Sequence, residues 1–399
     1  MDYLPLYKLF YSKPDQFQAI YSQRYENEDT IHLHMKIGEF NAFICSNFET
    51  MHLIERICYF NQLIINHLSD QEVPYVFRKW MKNHTLVEEI VMTNEIEGVI
   101  STHQEIESML DTREPKRYLR FYGILNKYRE IINKEKFEKI EDSKGVRKLY
   151  EKILIQDIKD NNPHDLPDGA IFRKEGVDVR SPSKVIHKGL TPESKIIENM
   201  DIGLDFLNDE RYPLLVRIAA FHYIFCYIHP FYDGNGRMAR FISSYYLSEE
   251  FNEYAALQLA TSIKKNQSDY YEAFKITNDS RNKGDITYFV IVFLDLLLKG
   301  LEEFENSISE TIDLYKYYDS KIDELLTVKQ TEKDILRCIL QESLLDTAYC
   351  TIDYIRNFVK KSVPTVRKYI SDLEAKNYIY HEKRGKKIAY FFNHEIFDQ

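Results

Sequence analysis

Cysteine is scarce. The 399 residues hold five (Cys45, Cys58, Cys226, Cys338 and Cys350), an odd number with no C-x-x-C pair. This favours reduced thiols in a cytosolic setting over a disulfide framework or a structural zinc site. Long apolar runs are missing too. The most apolar stretch, YFVIVFLDLLL at 288–298, is interrupted by Asp295 and is too short to span a bilayer, so no membrane partner is expected. The opening MDYLPLYKLFYSKPD lacks a basic start followed by an apolar core, and no secretory leader is expected. Excess positive charge is also absent. A formal net charge of -10 disfavours non-specific binding of nucleic acid or anionic lipid by the chain as a whole. There is no internal repeat, no low-complexity linker, no Walker A motif, no kinase glycine-rich loop and no G-x-S-x-G elbow. Those absences remove the familiar rival nucleotide and hydrolase sites.

Most of what remains reads as helix, because apolar residues recur at three and four and rarely alternate; the expected class is mainly α. One helix is expected over HTLVEEIVMTNEIEG (84–98). Thr85 and Glu88 form a capping box at its start, Leu86, Val87, Ile90 and Val91 form an apolar stripe, and Gly98 suits the C′ position. On that helix Ile90, Thr93 and Glu97 share one face. Between 160 and 195 the chain turns rich in Pro, Gly, Asp and Asn, and short β-type runs at AIFR (170–173) and VDVR (177–180) predict a small hairpin.

From about residue 330, three helical segments precede two β-like runs around Gly385, the order of a winged helix-turn-helix with 363–377 as recognition helix. Residues 351–390 carry ten Lys or Arg against four Asp or Glu, a local +6 in an acidic chain. DNA binding through 351–390 is therefore an expectation, with Arg367, Lys368, Lys383, Arg384, Lys386 and Lys387 as its patch. A winged helix used for protein contacts is the alternative.

HPFYDGNGRMAR (229–240) concentrates the chemistry. An apolar helix should end at His229, since Pro230 disfavours α geometry at the residue before it. This presents an imidazole able to act as a base at a helix C-terminus, a place that slightly favours its protonated form. Two glycines then let successive N–H groups converge on an anion, and the next helix points its N-terminus at the same place. Arg237 and Arg240, three apart, can both face that anion. Asp233 is placed to hold Mg²⁺ against phosphates. Base, metal acid, nest and paired guanidiniums are the parts a phosphoryl-type transfer uses.

The stretch resembles the Fic family signature, H-x-F-x-[D/E]-G-N-G-R-x-x-R, and matches it at every specified position, with weaker support from about residue 85 to 295. The resemblance implies a helical Fic-fold core with a β-hairpin flap, plus a C-terminal winged helix. It divides the chain into an N-terminal helical region with an inhibitory helix (1–110), a Fic core (111–305) and a winged-helix domain (306–399). It implies transfer of AMP from ATP, with Mg²⁺, onto a Ser, Thr or Tyr hydroxyl of a protein docked on the flap (170–189), the chain itself included. His229 would be the base, Asp233 the Mg²⁺ ligand, and Gly234, Asn235 and Gly236 the anion hole. Arg237 would hold the β-phosphate and Arg240 the γ-phosphate, while Phe231 anchors the loop. Tyr271 and Asn278, in YYEAFKITN, would take the adenine. TNEIEG (93–98) fits the family's inhibitory pattern, so Glu97, buttressed by Thr93, would pair with Arg240 and block productive seating of ATP. Two alternatives stay open: the same site run in reverse to remove AMP, and a winged-helix DNA-binding regulator with an accessory Fic domain.

Overall fold

Helices dominate, as the three-and-four periodicity predicts. Among the described residues the extended pairings are three two-stranded antiparallel hairpins and one isolated bridge. The computed structural model describes residues 3–70, 73–110, 112, 119–181, 184–345, 350–384 and 387–398. The chain forms two compact units, one of Met1–Ile65 with Lys82–Phe304 and one of Asn66–Met81 with Glu305–Gln399.

The larger unit is built around helix Leu214–Ile228, in which every residue except Cys226 is buried. Such a helix has no polar face and must be enclosed, each buried Leu, Ile or Phe contributing about 1.5–3 kcal/mol. Helices Glu193–Leu207 and Asn235–Glu250 enclose it. Gly203 permits the close approach of the first, since a Cβ there would stand 2.9 Å from Ile224 Cγ2. A hairpin of Ile31–Ile37 and Phe40–Ile44 belongs to the same unit.

Two local expectations are corrected. The helix expected to start at Thr85 runs unbroken from Tyr75 to Ile96. Thr85 lies buried in mid-helix with no partner for its hydroxyl among the described residues, so it forms no capping box. The reason is legible afterwards: Phe77 and Met81 extend the buried stripe upstream, no Gly or Pro interrupts it, and Pro74 sits just before the first turn. The other end is as expected, with Gly98 left-handed (φ 71°) and Val99 donating back to Asn94 O at 2.9 Å.

The second correction concerns the hairpin, whose strands are Asp178–Ser181 and Lys184–Lys188, paired from Asp178↔Lys188 to Ser181↔Lys184; Pro182 and Ser183 lie outside the described residues. AIFR is no strand. The N–H groups of Ala170, Ile171 and Phe172 all donate to the Glu193 carboxylate (3.1, 2.7 and 2.8 Å), which takes the donors a ladder would need.

In the smaller unit, helices Gln330–Leu344, Ile352–Val359 and Val363–Ala375 precede an antiparallel pair, Ile379–Arg384 with Lys387–Phe392. Arg367, Lys368 and Lys383 are exposed. Gly385, Lys386 and the side chains of Arg384 and Lys387 lie outside the described residues.

Candidate nucleotide site

The buried helix ends at Ile228, and His229 caps it in the left-handed conformation (φ 53°, ψ 63°). A non-glycine residue pays roughly 1–2 kcal/mol for that conformation, so surrounding contacts must hold it. Its Nδ1 faces the Cys226 carbonyl at 3.4 Å. A carbonyl only accepts, so Nδ1 carries the proton and Nε2 keeps a lone pair. Burial, with help from His187 and Arg173, pushes the imidazole pKa down to about 3. The expectation that the helix terminus favours imidazolium is overturned. A terminal dipole is worth about 0.3–1 kcal/mol, under one pK unit, and desolvation outweighs it.

Phe231 then inserts into the core, stacked on Tyr150 with ring centroids 3.7 Å apart. Asp233 stays at the surface with its side chain 41% exposed; it accepts from Gly234 N (2.5 Å) and pairs with Arg237 Nη2 at 3.1 Å. Gly234 is left-handed (φ 83°), and a Cβ on it would strike Leu154 Cδ1 at 2.5 Å, so the turn requires glycine twice over. The Asn235 side chain faces inward and clamps the loop, accepting from Phe231 N (2.9 Å) and donating to Phe231 O (2.8 Å). Its share in any anion hole is therefore its main-chain N–H, one of the first in helix Asn235–Glu250 that lack an intrahelical acceptor.

Arg237 and Arg240 pair with different carboxylates, Asp233 and Glu97. The Arg240 guanidinium is 1% exposed and is held from the opposite side by helix Tyr75–Ile96: Nε donates to Thr93 Oγ1 at 2.7 Å, and Nη2 to Thr93 O at 3.0 Å and Glu97 Oε1 at 2.7 Å. The Glu97 carboxylate lies over the glycine turn, and a Cβ at Gly236 would fall 2.0 Å from Glu97 Oε1. An anion thus already sits at the nest. The same helix face supplies Glu89, which the sequence reading missed. It is fully buried, takes Ala260 N on both oxygens (3.1 and 2.9 Å), and burial pushes its pKa up to about 7 against those bonds and the charge of Arg240. Its spacing of eight from Glu97 was the available signal.

Tyr271 and Asn278 lie two turns apart on helix Gln267–Asn278. Burial and then the nearby Glu97 charge raise the Tyr271 phenol pKa. Asn278 Oδ1 accepts from Tyr223 OH at 2.6 Å, while its Nδ2 is buried with no partner among the described residues. Other groups that the sequence reading passed over hold the loop from behind. Tyr150 OH donates to Asp233 O (3.2 Å), and Tyr232 OH donates to Asp168 Oδ1 (2.9 Å) while accepting from Glu175 N (3.1 Å).

A family described as Fic/DOC family matches residues 141–247. Over 245 residues the chain is 28% identical to the Protein adenylyltransferase Fic of Drosophila mojavensis, covering 60% of this chain and 43% of that protein. The figures are the same for its namesake in Drosophila willistoni. The chain spans less than half the length of these curated relatives. A Fic family protein from Desulfovibrio desulfuricans G20 superposes with a TM-score of 0.53 at 18% identity, over 87% of this chain and 97% of that one, a likeness of fold. The segment matched to the Fic/DOC family, residues 141–247, encloses the complete signature from His229 to Arg240.

Proposed function

We propose that the chain transfers AMP from ATP to a hydroxyl of a protein, and that Glu97 restrains the reaction. The observation carrying this reading is the Glu97 carboxylate itself, an anion bound by Arg240 at the glycine turn where a phosphate would sit. His229 Nε2 takes the proton of the target hydroxyl. The freed oxygen attacks the α-phosphorus, the bond to the β-phosphate breaks, and pyrophosphate leaves. The charge of a bound triphosphate raises the basicity of His229 above its value in the empty site. N–H groups of the Gly234–Gly236 turn and Arg237 neutralise charge on the phosphates. Arg240 receives the γ-phosphate once Glu97 withdraws, and Tyr271 with the free amide of Asn278 takes the adenine.

Asp233, a half-exposed carboxylate at the mouth of the site, fits Mg²⁺, which commonly takes one or two carboxylates plus phosphate oxygens. Among the described residues no group of three His, Cys, Asp or Glu could hold a metal alone, which suits an ion arriving with its nucleotide. When bound, Mg²⁺ supplies charge neutralisation across the phosphates. The flap hairpin, Asp178–Ser181 with Lys184–Lys188, offers an edge for an extended target segment.

The test uses ATP labelled at either the α- or the γ-phosphorus with the full chain, itself the first acceptor to examine. Label reaching protein from the α-position alone supports AMP transfer, and label from the γ-position refutes it. A modified target losing AMP instead would establish the reverse reaction.

A second role is favoured by one observation: Lys360, Lys361, Arg367 and Lys368 are all exposed at and before the Val363–Ala375 helix. We propose that this face binds DNA. Gel shifts of the full chain and Arg367→Glu over a salt series decide it, and no shift even at low salt would leave the unit as a protein-docking module.

A further inference from the structure

Arg173 is fully buried, and among the described residues it pairs with no carboxylate. Its guanidinium is spent on main-chain carbonyls. Nε donates to His229 O (2.8 Å), Nη1 to Glu175 O (2.5 Å), and Nη2 to Leu190 O (2.9 Å) and Ile228 O (3.4 Å). Its own N–H donates to Pro230 O at 3.2 Å. Three consecutive carbonyls at the end of helix Leu214–Ile228 thus converge on one residue, where a helix leaves its carbonyls unpaired and favours a cation. The other two carbonyls belong to the stems of the flap, Glu175 ahead of its first strand and Leu190 beyond its second. Gly189 lets these parts close up, since a Cβ there would fall 2.5 Å from Arg173 Nη2 and 3.1 Å from His229 Cβ.

We propose that Arg173 is the positioning residue for His229: it ties the left-handed base and both flap stems to one guanidinium, fixing the distance between the base and a target strand on the flap. The inference rests on His229 acting as the base. Positioning is needed because a left-handed histidine does not hold itself, and a misplacement of about 1 Å can cost on the order of 10²-fold in rate. The charge has a second effect. His229 is faced by His187 from the flap, by Arg173, by Asp233 and by the Cys226 carbonyl; the first two disfavour a proton on it, and the last two favour one.

The test compares Arg173→Lys and Arg173→Gln in the full chain, both carrying Glu97→Gly. Lysine keeps the charge, but one nitrogen cannot serve carbonyls spread around a planar fork. Glutamine loses the charge as well. Both variants are expected to lose about 10²-fold in kcat with the KM for ATP changed less than about twofold. In Arg173→Gln alone, the acid limb of the rate profile and the His229 NMR titration move to higher pH. Unchanged kcat, a loss confined to KM, or an unmoved His229 titration in Arg173→Gln overturns the proposal. If both variants fail to fold, Gly189→Ala displaces the guanidinium without removing it and must show the same kcat loss, or the proposal fails. If the parent transfers no AMP, the enzymatic reading fails, while the His229 titration still judges Arg173.

Discussion

Replacing Glu97 with glycine removes the one carboxylate that, among the described residues, Arg240 touches. The contact is a single charge-assisted hydrogen bond of 2.7 Å to a guanidinium that is 1% exposed, from a carboxylate that is 26% exposed. Hydrogen bonds to charged groups contribute about 1.5–3 kcal/mol, and partial solvent access trims this one toward the lower end. At about 1.4 kcal/mol per tenfold, the site opens to the γ-phosphate roughly 10- to 30-fold more often. Helix propensity hardly enters, because Glu97 follows the last helical residue, Ile96. Among the described residues the substitution leaves Arg240 hydrogen-bonded to Thr93 alone, so some stability is lost, and ATP should restore it by supplying the missing charge. The assay is incorporation of α-labelled ATP into the full chain with Mg²⁺, alongside melting curves with and without ATP. An increase of about tenfold or more, with a larger ATP-induced rise in Tm than in the parent, is expected. An equal or lower rate refutes the reasoning, and loss of an AMP-removing activity would place Glu97 in the reverse reaction instead.

His229→Ala should lower AMP transfer by about 10²–10⁴-fold at unchanged ATP affinity, checked by single-turnover rates and ATP titration. Gly234→Ala should cost about 1–3 kcal/mol, combining positive φ with the clash on Leu154, and denaturant melts measure it. The kcat/KM profile, which reports the free enzyme, should show no His229 inflection near pH 6.5, because burial holds its pKa down to about 3 in the empty site. His229 and His222, both depressed to about 3, contribute stability that is present above pH 6.5 and lost as pH falls from there toward 3. Glu89, raised to about 7, contributes in the opposite sense: its stability is full below pH 4.5 and lost as pH rises through 7. Glu89→Gln should therefore flatten the alkaline side of a Tm-against-pH curve between 5 and 8 without touching the acid side.

How much of this was legible in the sequence differed by kind of signal. The helix stop at His229 and the turn at Gly234 are local events, set by Pro230 and by a positive φ, and they read directly from HPFYDGNGRMAR, whereas the inward Phe231 was implied only by the family resemblance. Thr93 and Glu97 share a face through helical spacing alone, but that their face meets Arg240 is a contact across 143 residues or more, which periodicity cannot show. Burial was invisible for the same reason. The pull of desolvation on His229 and Glu89 depends on what packs over them, so the dipole argument, sound locally, lost. The start of helix Tyr75–Ile96 was misplaced because a Thr-x-x-Glu pattern looks alike inside and at the end of a helix. AIFR has strand residues but no strand, since Glu193, more than twenty residues away, collects its N–H groups. Arg173 stood in the sequence without any pattern, as a residue serving scattered carbonyls must.

The central claim is that His229 transfers AMP from a site that Glu97 occupies. The most direct measurement is intact-protein and peptide mass spectrometry of the chain, Glu97→Gly and Glu97→Gly/His229→Ala after incubation with ATP and Mg²⁺. The account expects a hydroxyl-linked AMP adduct that is sparse in the parent, abundant in Glu97→Gly and absent from the double variant. An adduct of equal abundance in the parent and Glu97→Gly, or one that survives loss of His229, would contradict it.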